Sequence, residues 1–525
     1  MGTTSNATLA VVPRVRGAPH VAIIGAGAAG LCMAIRLKAA GYTSFVIYEA
    51  ADRPGGTWRA NIYPGAACDI PAHLYSFSFA PNPDWSRKFV RQPEIGAYFD
   101  RCATEYGIVP HIRFGTEVSG ARYDEAAACW RLSIADGGEE TADILVSGCG
   151  QLNRPYIPNL QGRTGFKGTQ FHSARWDPSA EFAGKSVAVI GSAASAIQIV
   201  PEIAQQAERL LVFQRSPNWI ARKRDRKYSD FERRLYRHVP GLMRLVRGYH
   251  FWRHEMHYVA YRQNSRLGRF YKFMLGARIR RKVHDPALRA AVTPDYHFGC
   301  KRVQLSNKWF STIERPNVEL VTSAIARFTP TAIETADGRT HSVDTVIYAT
   351  GFEATRFLAP MQIEGADGLT LQKAWSDGAC AHRGVTVAGF PNLFLLYGPN
   401  TNLGHNSILF MLECQARYVI SCIDTLVDRS VASIAVKPDA MANFNERLQR
   451  RLSRSVWALG CSNWYKTASG KITNNWSGPA IRYWWQTRRL DLGEYELTGS
   501  RDWGSTPASS ADARQPACGA SVRLL

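Results

Sequence analysis

The chain holds 11 cysteines in 525 residues, yet it has no CxxC or CxxxxC pair and no cysteine–histidine cluster at metal-ligand spacing. Cysteines scattered singly exclude a sequence-encoded zinc centre and a redox dithiol motif. They predict reduced thiols in a cytoplasmic protein without a disulfide framework. Cys32 and Cys149 fall in segments that read as buried structure, where a free cysteine serves as a small hydrophobe. No apolar run is long enough to span a bilayer. Residues 1–18 carry Arg14 and Arg16 but no apolar stretch ahead of a cleavage site, so no secretory signal is predicted. Acid is also scarce, with 43 Asp and Glu against 64 Lys and Arg, a net charge of +21. The deficit is local, because the stretch from Arg222 to Lys282 holds 19 Lys and Arg against 4 Asp and Glu and supplies +15 of that charge.

What is present reads as a folded protein of two or three domains. The length exceeds a single simple core, and 45% hydrophobic with 11% aromatic content is that of a globular chain. Residues 1–18 and the Ser/Ala/Gly-rich stretch 500–525 are expected to be loose ends.

Two segments share one pattern of strand, glycine turn, helix and strand. In the first, Val21–Ile24 leads into Gly25-Ala-Gly27-Ala-Ala-Gly30, then a helical pattern, then Phe45–Tyr48 ending at Glu49. Gly25 serves the tight turn, Gly27 the approach of backbone to a pyrophosphate, and Gly30 close helix–strand packing. Glu49 stands where a carboxylate accepts hydrogen bonds from ribose hydroxyls. The second runs Ser186–Ile190, Gly191-Ser192-Ala193-Ala-Ser195-Ala196, a helix interrupted by Pro201, and Leu210–Phe213. It ends in Gln214-Arg215-Ser216 without an acid. A carboxylate there would repel a 2′-phosphate, whereas Arg215 pairs with one and Ser216 donates to it. The first unit is therefore expected to bind FAD and the second NADPH, with Gly191, Ser192 and Ser195 at the second pyrophosphate. Ala193 replaces the usual middle glycine, and Pro201 is expected to kink its helix.

Three further strings narrow the chemistry. They are Gly55-Gly56-Thr57-Trp58 continuing through Tyr63-Pro-Gly65 to Asp69, Phe166-Lys-Gly168-Thr-Gln-Phe-His172-Ser-Ala-Arg-Trp176-Asp177, and Phe298-Gly-Cys-Lys301-Arg302. Together they resemble the fingerprints of the type I Baeyer–Villiger monooxygenases, a branch of the flavoprotein monooxygenases, over residues of about 20 to 490. The resemblance implies FAD held in part by Gly56, Thr57 and Trp58, and NADPH contacted by Lys301 and Trp464. It also implies Arg302 at the flavin, paired with Asp69 as the catalytic ion pair, and oxygen inserted beside a ketone carbonyl through a C4a-peroxyflavin. A guanidinium suits that chemistry because it stays charged at any working pH and stabilises negative charge on oxygen. The alternative is N- or S-oxygenation of a soft nucleophile, for which such an arginine is not required. Phe166, Gly168, His172 and Trp176 are read as interdomain residues, with His172 structural, donating to a backbone carbonyl.

The implied architecture is α/β, with two Rossmann-like domains, the FAD one discontinuous, and an α-helical insert. FAD binding is expected in residues 19–160 and 384–499, a linker in 161–177, NADPH binding in 178–218 and 298–383, and the basic helical insert in 219–297. A small-molecule ketone and dioxygen are the expected partners, and no nucleic acid. A solvated basic face is the favoured reading of the insert, with contact to an anionic membrane as the alternative.

Overall fold

The structure, a computed structural model, describes residues 18–461 and 463–503. Strands β1 (Val21–Ile24), β2 (Phe45–Tyr48) and β3 (Ile112–Arg113) are followed by an antiparallel meander, β4 (Val118–Asp124), β5 (Cys129–Ile134) and β6 (Glu139–Ala142), and then by β7 (Ile144–Ser147). Helix α1 (Ala28–Ala39) links β1 to β2, while α2 (Thr57–Ala60) and α3 (Gln92–Glu105) lie between β2 and β3. The strands of this parallel sheet are continuous apolar runs, buried on both faces, as a sheet covered by helices on each side requires.

The design is then repeated. Strands β8 (Thr169–His172), β9 (Ser186–Ile190) and β10 (Arg209–Phe213) are joined by α4 (Ala196–Ile203), inside which Pro201 stands two residues from the end. After the insert come β13 (Val318–Val321), a meander of β14 (Ile325–Phe328), β15 (Ala332–Thr335) and β16 (Thr340–Ser342), and β17 (Thr345–Tyr348). The second parallel sheet has the order β13-β10-β9-β17-β8. Between its halves, β11 (Ile220–Ala221) and β12 (Gln304–Leu305) pair and close the base of the insert.

The insert is helical: α5 (Asp230–His238), α6 (Leu242–His257), α7 (Arg266–Lys282) and α8 (Pro286–Ala291). Ser229 and Glu232 form a capping box on α5, and Ser265 caps α7. Tyr236, Phe251 and Tyr261 join the core of the first unit, whereas Leu275, Ile279 and Val283 join that of the second. The insert thus grips both.

Three expected boundaries move. The stretch read as a linker contains β8, an edge strand hydrogen-bonded to β17. The chain returns to the first unit before residue 384. Strand β18 (Gln362–Glu364) already pairs with β4, and Ile363 and Leu371 are buried in that unit's core, ahead of β19 (Leu393–Leu395), which completes the sheet order β19-β7-β1-β2-β3. A three-residue strand carries too little periodicity to be seen in sequence. The tail is anchored further than expected, for Tyr495–Ser500 pairs with Val431–Val436, Arg501 bonds Asp143, and Trp503 is buried. The rest of the two expected loose ends, 1–17 and 504–525, lies outside the described residues.

Candidate active site

The first glycine turn is capped by the second string. Gly55 N–H donates to the Ala26 carbonyl at 3.0 Å. A Cβ built on Gly56 would sit 3.0 Å from the Gly27 Cα, so the two backbones face each other with no room for side chains. Gly27 heads α1 without any side-chain cap, leaving that helix's first N–H groups open to an anion. Gly25 and Gly30 close the turn between β1 and α1. Glu49, at the end of β2, accepts from Ala26 N–H at 2.7 Å and Ala51 N–H at 2.9 Å, which leaves lone pairs for ribose hydroxyls. Thr57 starts α2, and the Trp58 indole donates to the Tyr75 hydroxyl at 2.9 Å. These residues fit a bound dinucleotide.

The same string stitches the two units together, which spacing alone does not reveal. Gln198, on α4 of the second unit, donates to the Ala67 carbonyl at 3.0 Å and accepts from the Tyr63 hydroxyl at 3.2 Å. Gly65 has φ +82°, and a Cβ there would lie 2.6 Å from the Gln198 carbonyl oxygen. Gly65→Ala is therefore expected to destabilise the protein by on the order of 1–3 kcal/mol through overpacking and left-handed strain. An unchanged urea midpoint would refute that close approach.

Beyond the stitch, Asp69 meets Arg302. The guanidinium donates from Nη2 at 2.6 Å and from Nε at 3.1 Å to one oxygen, Oδ2. Asp69 raises the Arg302 pKa above its ordinary value against the opposing effect of burial. Burial works against the Asp69 charge as well, but Arg302 outweighs it and holds the carboxyl below its usual range. The two side chains are 27% and 31% exposed, so the pair faces an opening and is not sealed in a core. Tyr261, Tyr397 and Tyr465 surround it, and burial pushes their hydroxyls up, that of Tyr465 to about 12. They are neutral at working pH and do not compete as anions for Arg302. None of the three was identifiable from sequence.

One residue away, Lys301 donates to the Ser216 hydroxyl at 2.6 Å. Burial and then the charge of Arg215 lower its pKa. Lys301, Ser216 and Arg215 line a cavity of about 420 Å³ with Tyr296 and Asp295. Among the described residues no carboxylate makes an ion pair with Arg215 or Lys301. Ser192 donates to the Ser216 carbonyl at 3.3 Å, and Asn218, unnoticed in the sequence, donates to the Ser192 carbonyl at 3.0 Å. Gly191 opens the second turn at the end of β9, and Ser195 heads α4 without a side-chain cap. Trp464 is half-buried, its ring 4.6 Å from that of Tyr465.

Not all the thiols are free, contrary to the expectation of reduced cysteines. Cys300, adjoining Lys301, forms a disulfide with Cys461 across 161 residues. Cysteine spacing exposes only pairs close in sequence, and this one is assembled by two distant loops at the same cavity. A disulfide typically contributes about 2–4 kcal/mol, so Cys300→Ser should lower the melting temperature by several degrees. A wild-type protein whose melting is the same with and without a thiol reductant would contradict the bond.

The Phe166–Trp176 string does not converge on this site. Phe166 packs edge-on to Phe328 at 5.8 Å in the second unit's core, and Trp176 packs against Phe171 at 5.1 Å. A Cβ on Gly168 would strike the Asp344 carbonyl at 2.4 Å. His172 accepts the Ala174 N–H at Nδ1, 3.0 Å, and the Gly351 backbone also hydrogen-bonds the ring. Burial lowers its pKa to about 4, and the neutral ring lies 5.6 Å from Phe352, where the chain leaves β17. The string shapes the crossing between the units.

Residues 18–363 match the family described as flavin-binding monooxygenase-like. A "Baeyer-Villiger monooxygenase" of Streptomyces coelicolor is 42% identical over 480 residues, 91% of this chain and 92% of that protein. One from Pseudomonas aeruginosa is 42% identical over 503 residues, 95% of this chain and 94% of its own length. Among solved structures, OTEMO in complex with FAD and NADP aligns with a TM-score of 0.83 at 28% identity, covering 92% of this chain and 100% of that one. Oxidised steroid monooxygenase bound to NADP aligns at 0.81 and 29%, covering 92% and 99%. With the glycine cradle, the cationic cavity and the Asp69–Arg302 pair in place, the chain belongs to the flavin-binding monooxygenase-like family and, within it, to the Baeyer–Villiger monooxygenases.

Proposed function

We propose that this protein uses FAD, NADPH and dioxygen to insert one oxygen atom next to a ketone carbonyl, giving an ester or lactone. FAD would be held by Gly25, Gly27, Gly30, Glu49, Gly56, Thr57 and Trp58. NADPH would be held by Gly191, Ser192, Ser195, Arg215, Ser216, Lys301 and Trp464. When bound, the reduced flavin supplies the activation of dioxygen; the rest is positioning and charge. Arg302 places a permanent positive charge where negative charge develops on oxygen as the carbonyl is attacked. Asp69 fixes the guanidinium by two convergent hydrogen bonds, and the neutral tyrosines leave it available to an incoming anion.

The observation that carries this reading is the Asp69–Arg302 pair, open on one side and adjoining Lys301 in the cationic cavity. Purified protein given NADPH, oxygen and a panel of cyclic, aryl, long-chain and steroidal ketones should consume NADPH and yield ester or lactone. Sulfide or amine oxidation with no ester from any ketone would overturn it in favour of heteroatom oxygenation.

A further inference from the structure

The insert was read as a solvated basic face, with an anionic membrane as the alternative, and its outer surface is partly apolar. On α6 and the turn that follows it, Leu245, Tyr249, Trp252, Met256 and Val259 recur at alternating steps of four and three, which places them on one helix face. They are between 43% and 68% exposed. The inner side of the same helix is already committed to the fold through Phe251 and Glu255, which are buried. On α7, Phe270, Phe273 and Met274 are 50–65% exposed, interleaved with Arg266, Arg269, Arg280 and Arg281. Tyr271 of α7 meets His257 of α6 at 3.0 Å, so the two helices adjoin.

The charge around these side chains is of one sign. Helices α6 and α7 together carry ten Lys and Arg and a single carboxylate, Glu255. That carboxylate is turned inward, bonded to His405, Asn406 and the Ala480 N–H. The exposed apolar side chains are therefore flanked by cations and by no acid from either helix. A second copy of the chain is a poor occupant, because pairing the faces would bring two such basic surfaces together. Stacked nucleic-acid bases would suit Trp252 and Phe273 but leave Leu245, Met256 and Val259 in water. Acyl chains beneath anionic headgroups satisfy both halves of the pattern.

We propose that the outer face of α6 and α7 docks peripherally on anionic lipid bilayers. No described helix is long and apolar enough to cross a membrane, so the contact is interfacial. The stripe ends at Val259, two residues before Tyr261, whose ring lies 6.1 Å from that of Phe298 in the segment that carries Arg302. The docked surface thus adjoins the site where an apolar substrate would be oxidised.

The test is flotation of the FAD-loaded full-length enzyme with phosphatidylcholine vesicles, with and without phosphatidylserine, at low and physiological salt. Binding should require phosphatidylserine and weaken as salt rises. It should fall roughly tenfold or more in Leu245→Ser/Met256→Ser, whose changes are at the surface, with the melting temperature confirming an intact fold. Absence of flotation with anionic vesicles at low salt would overturn the proposal. So would binding that the double variant leaves unchanged. A dimer dissolved by the double variant, or retention of single-stranded DNA where vesicles are not retained, would reassign the face to another occupant. The readout does not involve turnover, so its failure is distinct from failure of the proposed reaction.

Discussion

Arg302→Ala is expected to lose ester or lactone formation by about 10²–10³-fold in kcat, the usual cost of deleting one fixed group that stabilises charge at a reacting centre. NADPH should still reduce the flavin, because the cationic cavity is formed by Lys301, Ser216 and Arg215 and does not use the Arg302 side chain. The loss should therefore appear as NADPH oxidation uncoupled from product. Truncation also strands Asp69, which is tied by two hydrogen bonds to that guanidinium. Breaking a buried pair from one side costs about 3–5 kcal/mol, but both groups here are roughly a third exposed, so the penalty falls well below that range. A folded but uncoupled enzyme is the expected outcome. Arg302→Lys separates charge from geometry: a lysine keeps the cation but cannot repeat the two donors converging on Oδ2, so it should recover only part of the lost rate. Near-wild-type lactone production by Arg302→Ala, measured together with rapid-mixing flavin reduction, would sink the assignment.

The sequence already displayed both glycine turns, because strand, turn and helix there are local and periodic. Glu49 and the missing acid at Gln214-Arg215-Ser216 were equally local signals. The pairing of Asp69 with Arg302 was not local, for 233 residues separate them. It was anticipated only through the family resemblance. Contacts that depend on how the two units meet stayed invisible. Gln198 sits on an ordinary helix, and its bonds to Ala67 and Tyr63 exist only once the units are apposed. Tyr261, Tyr397 and Tyr465 come from the insert and two distant loops, and each alone reads as core. Cys300 and Cys461 share that history. The insert's excess of arginine was legible and was read as a solvated basic face, with an anionic membrane as the alternative; that Leu245 to Val259 form one exposed apolar stripe becomes visible only when the buried side of α6 is known.

Lys301→Ala should raise the KM for NADPH by about 10–100-fold while moving the KM for NADH by no more than about twofold. The selectivity follows from where the lysine's charge sits. Its ammonium is held against the Ser216 hydroxyl, with Arg215 close enough to depress its pKa. Asp295, which lines the same cavity, offsets that repulsion only in part, and among the described residues it makes no ion pair with either cation. Two cations side by side at one cavity suit an anion, and the strand-end position of Arg215-Ser216 is where a 2′-phosphate lies in this type of fold. A charge-assisted hydrogen bond is worth about 1.5–3 kcal/mol, which converts to the stated range because 1.4 kcal/mol is tenfold. NADH lacks the 2′-phosphate and gains nothing from the lysine, so its affinity should scarcely change. Arg302 is the next residue, and a general disturbance of this loop would lower kcat with both cofactors. Steady-state constants with NADPH and NADH therefore separate the two explanations. A selective rise in the NADPH KM at constant kcat supports a 2′-phosphate contact, and an equal loss with both cofactors removes Lys301 from that role.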